Sequence, residues 1–411
     1  MATFEDVLDN MIETGTAPAD EYWCRELGVG YEDAFARLKK IYLEKGFSKG
    51  RSSEKLVLGP YGSGKTHFLR QLIEEAKLLD CATAEVALTR SVEFTNQLLV
   101  YKEVVKKLRV PGQLNWSLDA LMEACLKKQK TEAEKYPDPA RYMEAWIGSI
   151  PGNNFELSQF GKLIKRIFEA IQTGNVTVVD DACRWLEGDI DDRSLSRRLD
   201  LCPVPKPAQD LFAQEAMFSL FQLIKISGFN GTVVAFDESE QSFSTPSRQK
   251  IATINSLLQS GVNAITRLTN GSAFILYALT PDVSERMMEF PALQQRFADP
   301  QPGQGFWTGE TRAPIINLDH RENPEQDLKA IGERLTDMLF KCEDKDKPPC
   351  SREEVLASVY QIASKVAERD PSISNRRTFC KWTAHVFIHL IEDKVLEVKD
   401  IPAKKLVAED E

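Results

Sequence analysis

Residues 59–66 read Gly59-Pro60-Tyr61-Gly62-Ser63-Gly64-Lys65-Thr66, which fits G-x-x-x-x-G-K-[ST]. Glycines at these positions let backbone N–H groups approach an anion with no Cβ in the way. A helix beginning directly behind them adds its positive end. Lys65 has the reach for β- and γ-phosphates, and the Thr66 hydroxyl can ligate Mg²⁺. The flanks suit this chemistry. Lys55-Leu56-Val57-Leu58 reads as a short buried strand, and His67-Phe68-Leu69-Arg70-Gln71-Leu72-Ile73 as an amphipathic helix. The stretch from Gly59 to His67 therefore reads as a site for ATP and Mg²⁺, with His67 a helix residue beside it rather than a catalyst. The plain alternative, a glycine-rich turn that binds nothing, does not account for the strand and helix on either side.

Four other places carry residues of the same chemistry. Asp237 and Glu238 end the apolar run Thr232-Val233-Val234-Ala235-Phe236. A carboxylate at a strand tip can hold Mg²⁺, and a second one beside it can polarise an attacking water. Asp237 takes the metal role and Glu238 the hydrolytic one; the bland reading is a helix N-cap or a solvated acid pair. Glu240 belongs to the same tip and reads as solvated. Thr280 closes Ala273-Phe274-Ile275-Leu276-Tyr277-Ala278-Leu279 and reads either as a phosphate sensor or as the start of a Thr-Pro turn. Arg296, in Leu293-Gln294-Gln295-Arg296-Phe297, reads either as a surface helix residue or as an arginine finger reaching a neighbouring subunit's γ-phosphate. Arg376 and Arg377 open a late helix with Ser374 or Asn375 as N-cap. They read as lid arginines closing on nucleotide, as binders of nucleic-acid phosphate, or as a surface cap. His385 and His389 lie four apart, with no acid partner assignable from the sequence.

Strands at 55–58, 84–88, 232–236, 273–279 and 313–318 must carry these residues, and those at 232–236 and 273–279 are continuous apolar runs. Runs of this kind suit a parallel sheet buried on both faces, in a doubly wound α/β core. Helical periodicity fills 31–42, 118–126, 160–168, 327–335, 352–367 and 377–392. The organisation expected is an N-terminal helical segment at 1–50, a nucleotide-binding core at 51–322 with a helical insertion at about 95–230, and a helical lid at 323–411 ending in a charged, frayed tail. The chain has 411 residues, 42% hydrophobic and 28% charged, with a net charge of −10. That balance speaks against a chain built to coat nucleic acid. No apolar run approaches a membrane span, and the N-terminus lacks the pattern of a signal peptide. Eight cysteines without a C-x-x-C pair read as reduced thiols of a cytoplasmic protein.

The glycine-loop wording with His67-Phe68-Leu69-Arg70, the Asp237-Glu238-Ser239-Glu240 tip, the Ala278-Leu279-Thr280-Pro281 strand end, the Leu293–Phe297 helix and the late Arg-Arg-Thr-Phe helix occur in this order over about residues 25–390. In this the chain resembles the ATP-binding protein family of BREX-type phage-defence islands, the BrxD-like proteins. The resemblance implies an AAA+-like ATPase related to the initiator and loader branch, acting on or near DNA in bacterial defence or DNA modification. It further implies self-association as a ring or filament, contact with DNA directly or through partners, and other defence-system proteins as partners. A nucleotide-gated scaffold that hydrolyses little ATP and recruits a nuclease or methyltransferase is the alternative. A P-loop kinase is a third reading, and the Asp-Glu tip argues against it.

Overall fold

The structure, a computed structural model, describes residues 3–15, 21–113, 117–243, 247–298, 305–307, 309–318, 324–341, 348, 350–372 and 375–392. The charged tail, and Ser374 as a helix cap, lie outside the described residues. In chain order come helices α1 (Phe4–Thr14), α2 (Glu21–Leu27) and α3 (Glu32–Leu38), strand β1 (Ser53–Leu58), helix α4 (Lys65–Leu78) and strand β2 (Ala82–Ala87). Seven helices follow: α5 (Gln97–Lys107), α6 (Leu118–Ala133), α7 (Pro139–Ser149), α8 (Phe160–Thr173), α9 (Val176–Leu186), α10 (Arg193–Leu199) and α11 (Gln209–Ile226). Strand β3 (Thr232–Asp237), helices α12 (Ser239–Phe243) and α13 (Arg248–Arg267) and strand β4 (Ala273–Leu279) come next. Helices α14 (Pro281–Met288) and α15 (Pro291–Phe297), strand β5 (Ile315–Asn317) and helices α16 (Pro324–Lys341), α17 (Arg352–Arg369) and α18 (Asn375–Glu392) complete the order.

The strands form one five-stranded parallel sheet in the order β2-β3-β4-β1-β5. The chain divides into two compact units: Met1–Ala36 with Val57–Glu74 and Pro300–Glu411, and Arg37–Leu56 with Glu75–Asp299. Strand β1 is shared between them.

In the larger unit β2, β3 and β4 run parallel, with Ala82 opposite Thr232 and Phe236 opposite Tyr277. Every residue of β3 and β4 is buried. A strand covered on both faces has no solvent side, so its sequence shows no polar alternation. The helices between β2 and β3 keep their own apolar faces inward: Phe160, Leu163, Ile164, Ile167 and Phe168 of α8 are all buried, at a helical spacing. The stretch expected as a helix over 31–42 is α3 followed by a π-helical turn, Lys39–Glu44.

In the smaller unit the first and last helices share a core. Phe4, Val7, Leu8 and Met11 of α1 cluster with Leu328, Leu335, Val355, Val359, Phe379 and Phe387 of α16–α18. Local signals set the ends of these helices. Thr3 and Asp6 form a capping box on α1, as Ser351 and Glu354 do on α17, satisfying first-turn N–H groups. Gly15 stops α1 in the left-handed region at φ 57°.

Candidate functional site

In the smaller unit β1 ends at Leu58 and α4 begins at Lys65, so residues 59–64 form the turn between strand and helix. Gly62 and Gly64 hold φ of 80° and 89°, a region that L side chains rarely adopt. Gly59 is glycine for a different reason: a Cβ there would stand 2.3 Å from Ser63 Oγ. Ser63 is fully buried and its hydroxyl has no hydrogen-bond partner among the described residues. Lys65, 7% exposed, donates from Nζ to the carbonyls of Gly59 at 2.8 Å and Pro60 at 3.2 Å. Its ammonium also lies 5.3 Å from the centre of the exposed Tyr61 ring. Thr66 follows in the first turn of α4, partly exposed. The cradle thus holds a buried cation, an orphan hydroxyl and the N–H groups of a helix start, and these fit the phosphates of a nucleotide.

Arg376 of α18 reaches the same loop. A Cβ on Gly64 would come 3.7 Å from Arg376 Nη1. The residue is 9% exposed; its guanidinium donates to the Tyr31 hydroxyl at 2.9 Å and to Asp327 Oδ2. Burial works against its charge, but Tyr31 and Asp327 outweigh burial and leave the group above its ordinary value. Arg377 points elsewhere: a Cβ on Gly15, at the end of α1, would meet its side chain at 3.1 Å. The two neighbours therefore differ, and only Arg376 stands at the glycine loop. His67 is held neutral. Removal from water, then the charges of Arg376 and Arg70, lower its pKa to about 4 against a hydrogen bond to the Cys24 backbone.

In the larger unit Asp237 and Thr280 lie at the same ends of the adjacent strands β3 and β4. Phe236 is opposite Tyr277, and both strands run out just beyond that pair. Ligands of open α/β sheets bind outside such carboxyl ends. Asp237 is buried, and its Oδ1 accepts the N–H of Glu238 at 2.9 Å. Glu238 is exposed, with φ of 50°. Glu240, expected to be solvated, is buried. The reason is that α12 starts at once behind the strand and turns Ser239, Glu240, Ser242 and Phe243 inward. Thr280 is buried at the N-cap of α14, where its side chain makes no capping bond. Arg296 lies exposed on α15, and its Nη2 donates to Asn263 Oδ1 on α13. Glu54, in the first half of β1, has its pKa raised to about 8 by burial, against the pull of Arg296.

Sequence reasoning missed Tyr31, Asp327 and Gln241. Each is an ordinary helix or loop residue by type, and each gains its place only from partners the pattern does not announce.

The parallel sheet and the strand–glycine loop–helix at β1 and α4 define an α/β protein compatible with the P-loop ATPases. The chain belongs to the BREX system ATP-binding protein family BrxC/D, whose family model matches residues 5–400. No curated protein and no solved structure matches it. Membership gives the chain an ATP-binding role in BREX defence. Among the described residues no helix is long and apolar enough to cross a membrane.

Proposed function

We propose that the chain is an AAA+-type ATPase, binding and hydrolysing ATP with Mg²⁺ to drive or switch a DNA-associated complex of BREX defence. The observation that carries this reading is the glycine loop, where two buried cations, Lys65 and Arg376, meet left-handed glycines and a serine hydroxyl with no hydrogen-bond partner among the described residues. In this reading Lys65 exchanges its bonds to the Gly59 and Pro60 carbonyls for phosphate oxygens, a charge-assisted and stronger pairing. Arg376, rather than Arg377, faces the nucleotide from the C-terminal helices, which act as the lid. Thr66 and Asp237 hold Mg²⁺, a hard cation that takes oxygen ligands and keeps most of its water. Glu238 accepts the proton of the attacking water, and Thr280 orients that water. Arg296 acts on the nucleotide of a neighbouring subunit, so the working form is a ring or filament. The helices between β2 and β3 form an insertion that meets partners, and DNA contact is direct or through those partners.

The test is phosphate release from ATP with and without double-stranded DNA, beside Lys65→Ala. DNA-stimulated release that disappears in the variant is expected. ATP binding without release would overturn the hydrolytic reading in favour of a nucleotide-gated scaffold.

A further inference from the structure

Glu238 has an unusual backbone and a specific partner. Its φ of 50° is the left-handed conformation, which a non-glycine residue keeps only when its surroundings determine it. The Asp237 carboxylate, accepting the Glu238 N–H at 2.9 Å, is one such determinant. The short helix behind it is another. Ser239, Glu240, Ser242 and Phe243 of α12 are buried, and Gln241 is its exposed residue. Gln241 donates from Nε2 to Glu238 Oε2 at 2.7 Å.

The helix that carries this donor is anchored. Ser239 Oγ donates to the Phe236 carbonyl at 3.2 Å, and the Phe94 N–H donates to Ser242 Oγ at 2.7 Å. The Phe243 ring meets Phe94 edge-on with centroids 5.0 Å apart, and Phe94 meets Tyr277 at 6.0 Å. The amide therefore stands on a fixed base at the carboxyl end of β3.

We infer that Gln241 is a positioning residue for hydrolysis. Its amide fixes one oxygen of Glu238 and leaves Oε1 to face the attacking water. The inference rests on the reading of Glu238 as the group that activates water. An amide suits the task because it donates without titrating, so the carboxylate stays an acceptor. A catalytic group displaced by about 1 Å can lose on the order of a hundredfold in rate.

The experiment measures phosphate release and ATP affinity for the full chain, Gln241→Ala, Gln241→Glu, Glu238→Gln and the double variant Glu238→Gln/Gln241→Ala. Gln241→Ala is expected to lower kcat about tenfold with ATP Kd unchanged. Gln241→Glu, of the same shape, should lower kcat further, because it loses the donor and sets a second carboxylate beside Glu238. If Gln241→Ala also loses ATP binding, Gln241→Glu carries the test. On the Glu238→Gln background Gln241→Ala should leave the residual turnover unchanged, as expected for residues acting as one unit. An unchanged or raised kcat in Gln241→Ala, or an equal fall on both backgrounds, overturns the inference. Full turnover in Glu238→Gln, or none in the native chain, removes the reading of Glu238 and the inference with it. An inactive Glu238→Gln beside a native-like Gln241→Ala removes the inference alone.

Discussion

The glycine loop and the acidic tip handle charge in opposite ways. At the loop the charged groups are cations withdrawn from water and held by the protein. Lys65 rests on two carbonyls, and Arg376 on a phenol and a carboxylate. Their neighbour His67 is driven to its neutral form, first by removal from water and then by the charges of Arg376 and Arg70. At the tip the buried Asp237 caps the next backbone N–H, and Glu238 is left in the open on a left-handed backbone. A titratable group in the same unit, Glu54, is again driven neutral, this time by keeping its proton. The contrast teaches that anion binding can be prepared by burying compensated cations. On the proposed reading of Glu238, a group that must meet water is left exposed and fixed by its backbone and neighbours instead.

The largest effect tests the tip. Glu238→Gln should reduce phosphate release at least about a hundredfold while ATP still binds, the scale of a lost general base; a smaller loss would move the hydrolytic role elsewhere. Next comes the loop. Asp327→Ala leaves Arg376 buried with, among the described residues, only the Tyr31 hydroxyl as hydrogen-bond partner, and removing one partner of a buried pair costs about 3 kcal/mol or more. Urea denaturation should show that loss, together with weakened ATP binding. Stability unchanged in Asp327→Ala would mean that Arg376 is not compensated as the geometry indicates.

Two smaller effects have opposite pH signs. His67 has a folded pKa of about 4, below its unfolded value of about 6.5. The unfolded chain binds more protons between those values, so stability is present above about 6.5 and lost as pH falls toward 4. The loss should be roughly 2 kcal/mol, allowing for a ring that is not wholly enclosed, and His67→Asn should flatten that part of the profile. Glu54 has a folded pKa of about 8, above its unfolded value. Its contribution is present at acid pH and lost as pH rises toward 8. Glu54→Gln should therefore stabilise the chain by about 1 kcal/mol at pH 8 relative to pH 4. Profiles that move together in both variants would erase the contrast between the two regions.

Much of this was legible without coordinates. The runs at 232–236 and 273–279 appear as β3 and β4, since a strand buried on both faces writes itself as an unbroken apolar run. Strand β2 spans Ala82–Ala87 rather than 84–88, and β5 only Ile315–Asn317. Flanking Ala, Thr and Pro blur the edges of such runs. The late helices were visible from their period, and capping boxes open α1 and α17 while Gly15 closes α1.

By itself the sequence determined the local matters: strand, glycine loop and helix within 55–73, the acid at the end of β3, and the membership carried by motifs in order. These depend on neighbours in the chain and on burial, which composition and period record. Tertiary structure decided which of two adjacent arginines stands at the loop, that Glu240 is buried, and that Tyr31, 345 residues away in sequence, holds Arg376. Periodicity assigns a side chain to a face of its own helix. What waits on the other side of that face depends on how distant segments pack, and a single hydrogen bond across such a distance leaves no pattern in the sequence.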